Sequence, residues 1–211
     1  MRHISRVLAP ILIASLIPVL VVGLIGPTLG GCASKKVVSR VGEGEVIDLS
    51  GRWNDTDSRL VSETMIADCL GGTWLERLGA GASPTIIAGS IRNKSMEHIP
   101  VATFLKDIER AMVNSGDVQV VASAEERGEV RDERSDQRVN ASPETLKKMG
   151  LEVGADYMLL GEINQINDRE DGEEVRYYQV DLSLVDIETN VKAWVGQHKI
   201  KKFVSTSKYK G

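Results

Sequence analysis

The sequence predicts an α/β (α+β) domain, a mixed sheet flanked by helices. Two observations carry the prediction. Apolar residues with helical spacing alternate with short extended apolar runs between residues 55 and 154. After Gly154 the spacing changes to period two, in three runs joined by short polar connections. Strand–helix alternation followed by a meander of strands implies a sheet of mixed direction with helices packed on it.

The chain opens with a different kind of segment. Arg2, His3 and Arg6 form a positive start, and residues 7–31 carry no charge. That is the order of a secretory signal, a charged n-region and then an apolar h-region. The competing reading is an uncleaved transmembrane helix, for which about 20 apolar residues suffice. Pro10, Pro18 and Pro27 weigh against it, because an interior proline breaks helix hydrogen bonds. The run closes on Leu29-Gly30-Gly31-Cys32, which resembles the lipobox of bacterial lipoproteins. The resemblance implies cleavage after Gly31 and a lipid on the Cys32 sulfur. It divides the chain into a signal peptide at 1–31, a lipid-anchored tether at 32–45 and a globular domain at 46–211.

Val46 to Leu49 reads as a short strand, and Asp55 reads as a cap on a first helix. Val61, Met65 and Cys69 step by four, as do Ile66, Leu70, Trp74 and Leu78, making one broad apolar face. Gly71 and Gly72 interrupt it, either for close packing or for a bend. Thr85 to Ile91 is a buried strand. Pro100 suits the first turn of a second helix, in which Val101, Phe104, Leu105, Ile108, Ala111 and Met112 form the apolar stripe. Gly116 stops that helix, and Val118 to Val121 is the next strand. Ser123 and Glu126 form a capping box for a third helix. Glu125 to Arg138 is almost all charged with both signs mixed, which reads as a solvated face or as a docking surface. Ser142, Pro143 and Glu144 carry the cap and first-turn residues of a fourth helix. Three strands come next: Ala155 to Ile166, Val175 to Asp186 and Val191 to Phe203. In the second, Tyr178, Val180, Leu182 and Leu184 share one face.

The chemistry-bearing residues are few. The net charge is −4, which gives no reason to expect nucleic acid as a partner. With Cys32 claimed by lipid, Cys69 stands alone and reads as a small buried apolar residue or a reactive thiol. His98 and His198 lack a nearby cysteine, so a zinc site has little support. Asp168, Asp171, Glu173 and Glu174 lack the ligand spacing of a calcium loop and read as an acidic turn. No metal, cofactor or catalytic residue is expected. The tail lysines Lys199, Lys201, Lys202, Lys208 and Lys210 suit an anionic surface or the protection of an edge strand.

Several separated motifs then resemble one family. They are Asp48-Leu49-Ser50-Gly51-Arg52-Trp53-Asn54-Asp55-Thr56-Asp57-Ser58, Ile91-Arg92-Asn93-Lys94-Ser95 with Glu97-His98-Ile99, and Asp107-Ile108-Glu109-Arg110 with Asn114-Ser115-Gly116. Glu126-Arg127 to Asp136-Gln137, Gly154-Ala155-Asp156-Tyr157-Met158-Leu159 and Tyr177-Tyr178-Gln179-Val180 continue the series. Together they resemble the penicillin-binding-protein activator family LpoB over about residues 46–203. The resemblance implies a fold like the N-terminal domain of TolB. It also implies a lipoprotein held in the outer membrane by its N-terminal lipid, facing the periplasm. Such a protein binds a penicillin-binding protein, a bifunctional peptidoglycan synthase, and stimulates it without being an enzyme. The tether here is short beside the long proline-rich one of the best-known members. The alternative is a structural or secretion-associated envelope lipoprotein on the same fold. Arg52, Trp53 and Asn54 are the candidate partner-binding residues, because they sit on a loop before a helix. The reading preferred over that is structural, with Trp53 as a core plug and Asn54 and Asp55 as caps of the helix.

Overall fold

A computed structural model describes residues 37–79, 81–147 and 151–205. The signal peptide, the Gly31 cleavage point, Cys32 and the lysines at 208 and 210 lie outside the described residues. The chain divides into two units at Arg40–Val41, and the second unit holds every described helix and strand.

The helix α1 spans Asp55–Leu70 and begins at Asn54, one residue before the expected cap. The expected face is buried, with Val61 and Cys69 fully inaccessible and Met65 nearly so. The face does not continue as one helix. Gly71 caps α1, and a four-residue helix α2, Thr73–Glu76, restarts the chain. Two adjacent glycines are too costly to keep inside a helix unless packing requires them. Trp74 is nevertheless buried, because its indole Nε1 donates to the Cys69 carbonyl at 2.7 Å. Leu78 is left exposed.

Strand β1 is Thr85–Asn93, helix α3 is Val101–Ser115 and strand β2 is Gln119–Val121. Pro100 is the residue before the first turn of α3, and Gly116 ends the helix in the left-handed conformation. Helix α4, Ala124–Asn140, starts on the expected Ser123/Glu126 box and buries no residue. The fourth helix expected at Ser142 is a turn over residues 143–145, held by Thr145 and Leu146 N–H groups donating to the Ser142 carbonyl. Cap residues start a helix only if an apolar face is there to pack, and Leu146 is exposed.

Three long strands complete the chain: β3, Tyr157–Glu170; β4, Glu173–Asp186; β5, Lys192–Ser205. The acidic turn between β3 and β4 is shorter than expected. It shrinks to Asp171 and Gly172, both with positive φ, as a two-residue hairpin loop demands. The acids at 168, 173 and 174 therefore belong to strands.

The sheet order is β2-β1-β3-β4-β5. β1 runs parallel to β2 and β3, while β3, β4 and β5 are antiparallel. The mixed sheet is the one the change of period predicts. α1 packs against β5 and α3, and α3 packs against β1 and β2. One apolar cluster joins Phe104, Ile108 and Met112 of α3 to Val61 and Met65 of α1 and to Tyr178, Val180, Leu182 and Leu184 of β4. The alternate β4 residues Tyr177, Gln179, Asp181, Ser183 and Val185 stay partly accessible on the other face.

Candidate partner-binding surface

Two structural requirements shape the loop that enters α1. The α1 N-terminus leaves backbone N–H groups without helical partners, so a side-chain acceptor is needed there. Asn54 supplies it: its Oδ1 accepts from the Asp57 N–H at 3.0 Å, and Asp57 Oδ2 accepts from the Asn54 N–H at 2.9 Å. The second requirement is close approach to the sheet. Gly51 is buried against Val204 and Arg176, and an added Cβ would collide with the Val204 side chain.

Val46 to Leu49, expected as a strand, has no regular structure, and residues 46–50 are exposed. Side chains replace a ladder. Asn54 Nδ2 donates to Asp48 Oδ1 at 2.6 Å, and Lys202 Nζ donates to the same oxygen at 2.9 Å. Lys202 Nζ also reaches Asp57 Oδ2 at 2.7 Å and the Arg52 carbonyl at 3.2 Å. Burial pushes the Lys202 ammonium down, but Asp57 and Asp48 outweigh it and hold its pKa above the usual lysine value. This lysine therefore serves neither as edge protection nor as a contact to an anionic surface. Its side chain is only 12% exposed.

A second polar group fastens the other side of the loop. The Trp53 N–H donates to Glu97 Oε2 at 3.0 Å. Glu97 Oε1 accepts from Tyr178 Oη at 2.8 Å, Gln165 Nε2 at 2.8 Å and Arg176 Nη1 at 3.2 Å. Burial pushes the Glu97 carboxyl up, and these four donors more than offset it, so the group titrates below the ordinary carboxylate value. Arg176 Nε donates to Glu174 Oε1 at 2.8 Å, and Arg176 and then Arg169 hold Glu174 down to about 2. Every carboxylate oxygen in this group faces a donor, which is the condition under which buried charge is tolerated.

The three candidate contact residues have different surroundings. Arg52 is exposed. Trp53 is half-buried, and its ring meets Phe104 and Tyr178 edge-on at centroid distances of 6.3 and 5.6 Å. Its Nε1 donates to Ser58 Oγ at 2.7 Å, so the indole polar atom is already satisfied. Asn54 is committed to capping. Of the three, Arg52 alone is exposed, while Trp53 and Asn54 are tied down by hydrogen bonds.

Sequence reasoning missed Glu97, Glu174, Arg176 and Lys202 as partners of this loop. A signal was present. Glu174 and Arg176 share the parity of Tyr178 and Val180, and Lys202 shares that of Ile200 and Trp194. Charge in the buried register of a strand calls for a buried counter-charge.

Other chemistry is sparse. Among the described residues no three His, Cys, Asp or Glu side chains gather as a metal site. Cys69 is buried, and desolvation, with the nearby Asp68 charge, pushes its thiol up to about 12. No described helix is long and apolar enough to cross a membrane. The open sheet face carries a shallow depression of about 540 Å³ bordered by Arg92, Glu162, Asp181, Ser183, Val195 and Gln197.

Known proteins provide a comparison. Among solved structures, the chain is similar to the LpoB C-terminal domain from Escherichia coli, with 17% identity, a TM-score of 0.42, and coverage of 69% of this chain and 99% of that one. It is also similar to the lipoprotein GNA1162 from Neisseria meningitidis, with 17% identity, a TM-score of 0.39, and coverage of 60% and 88%. A third is the LpoB C-terminal domain from Salmonella enterica, with 15% identity, a TM-score of 0.34, and coverage of 71% and 96%. No curated protein matches the sequence. The family model described as peptidoglycan-synthase activator LpoB matches residues 57–200, which is most of the chain, and the protein belongs to that family.

Proposed function

We propose that this protein is anchored by lipid on Cys32 to the periplasmic side of the outer membrane. There it binds a bifunctional penicillin-binding protein and stimulates its glycan polymerisation and cross-linking. It contributes no catalysis of its own. The family match over residues 57–200 carries this reading. The charged start, the uncharged run and the Leu29-Gly30-Gly31-Cys32 motif support the anchor. Within the loop, Arg52 is the residue that meets the synthase, while Trp53 and Asn54 hold it in place. The exposure of Arg52 and the enrichment of arginine at binding hot spots support that division.

The test is reconstitution with a bifunctional synthase from the same envelope. The expected outcome is a faster glycan polymerisation rate on adding this protein, and a reduced response with Arg52→Ala at an unchanged melting curve. An unaltered synthase rate would overturn the function, and an unaltered response to Arg52→Ala would overturn the contact. The anchor is tested by Cys32→Ala, which should leave an uncleaved precursor that incorporates no palmitate analogue.

A further inference from the structure

The two edges of the sheet are unlike. β2 is three residues long, and a short edge offers little backbone for pairing. β5 is fourteen residues long and has a strand partner, β4, on one side only. Its register with β4 is continuous from Ser205 back to Trp194, with one irregularity at Leu184/Val185. It contains no proline. Among the described residues, no backbone or side-chain donor from elsewhere in the chain pairs with its free edge over residues 194–201. Half of the N–H and C=O groups of such a strand face outward with their hydrogen bonds available.

The side chains on the open face of β5 form a pattern. In order they are Val195, Gln197, Lys199, Lys201 and Phe203, all exposed. Val195 is 63% and Phe203 65% accessible. Lys199 and Lys201 stand opposite Gln179 and Tyr177 of β4, and neither makes an ion pair among the described residues. The row is therefore two unpaired ammonium groups between two apolar ends.

We propose that β5 is a docking edge that takes an extended acidic segment of a partner protein as a sixth strand. Backbone pairing supplies the attachment, and the Lys199/Lys201 pair supplies the choice. A strand running antiparallel to β5 would set an apolar residue beside Phe203 and acids beside Lys201 and Lys199. A neutral residue would come next beside Gln197, and a second apolar residue beside Val195. Directly opposed unlike charges in a sheet are favourable and like charges unfavourable. A second copy of this chain is rejected for that reason. Pairing β5 with itself about Lys199 sets that lysine against its own copy, and a two-residue shift sets Lys199 against Lys201. The same lysines that protect the edge against neutral or self pairing thus select an acidic strand. The proposal is independent of Arg52 and of which synthase is stimulated.

The test uses the full chain in detergent and three nine-residue peptides. The first reads Val-Thr-Glu-Thr-Glu-Thr-Thr-Thr-Val. The second has lysine for both glutamates. The third is the first with N-methyl groups on both glutamates and the threonines beside them. The expected result is that the first peptide binds at least tenfold more tightly than the second. It should also slow amide exchange at alternate residues between 195 and 203. The third peptide should not bind. The Lys199→Glu/Lys201→Glu variant, altered only at exposed positions, should prefer the second peptide. Equal binding of the first and third peptides would overturn strand addition, leaving surface charge alone. Equal binding of the first and second would overturn the acidic preference. Unchanged exchange in β5, or no binding of the first peptide, would overturn the docking edge. A dimer of the free protein that Phe203→Asp dissociates would show a second copy as the occupant and would also overturn it.

Discussion

Helices α1 and α4 begin in the same way and end up with opposite roles. Each starts from a complete capping box, Asn54 with Asp57 and Ser123 with Glu126. α1 buries eight residues, whereas α4 buries none. The difference begins at the third helical residue. Asp57 is buried and gains Lys202 from the far end of the chain. Glu126 is exposed and gains Lys106 from the neighbouring helix α3. The same box is a tertiary joint in one helix and a local start signal in the other. What separates them is whether the helix carries an apolar stripe that draws its first turn onto the sheet.

The largest effect should come from the buried stripe of α1. Met65→Ala should lower stability by about 2–5 kcal/mol in denaturant titration, since it empties a site with no accessible surface to spare. A loss below about 1 kcal/mol would erase the contrast with α4. Next is the residue that joins the α1 entry loop to α3 and β4. Trp53→Ala should cost about 2–3 kcal/mol, somewhat under the range for a fully buried tryptophan because Trp53 is half-buried. An unchanged thermal midpoint would show that its edge-on contacts contribute nothing.

The paired caps sharpen the comparison. Asn54→Ala and Ser123→Ala each remove a cap of about 1 kcal/mol. The first should lower the global melt, because α1 unfolds only with the core. The second should speed amide exchange in α4 and leave the global melt within error, as expected of a segment that opens locally. The α4 start should also respond to acid. Lys106 and then Ser123 hold Glu126 at about 2, below the ordinary glutamate value of 4.5. A folded pKa below the unfolded one stabilises at pH above 4.5, and the contribution fades as pH falls toward about 2. Amide protection in α4, taken relative to the intrinsic exchange rate at each pH, should fall across that window before the core melts. The smallest effect belongs to the α4 surface: Val139→Ser should change stability by less than about 0.5 kcal/mol, because Val139 is 81% exposed and meets no core.

Some of this was visible in the linear chain. The helical stripe of α1 as far as Leu70, the stripe of α3, the capping box of α4 and the in-facing row of β4 are local patterns, and the structure has them where the spacing places them; beyond Leu70 the first stripe breaks at Gly71 and Gly72. The fourth helix at Ser142 failed because caps propose a helix that only packing keeps. The strand at Val46 failed for the converse reason: its residues suit a strand, but side chains of Asp48, Asn54 and Lys202 took the place of a ladder. The loop at Arg52, Trp53 and Asn54 was legible as a place of interest, and its surroundings were not.

The sequence by itself determined the class of the fold and the family. Periodicity, caps and ordered motifs are properties of neighbouring residues, and neighbours are what a linear chain records. The tertiary structure alone decided which charges are buried, which edge of the sheet is free and which of the three loop residues faces outward. Those outcomes depend on partners far apart in sequence. Lys202 meets Asp57 across 145 positions, and Tyr178 meets Glu97 across 81. No spacing rule connects such pairs, because the sheet register that brings them together is itself set by the burial of the whole core.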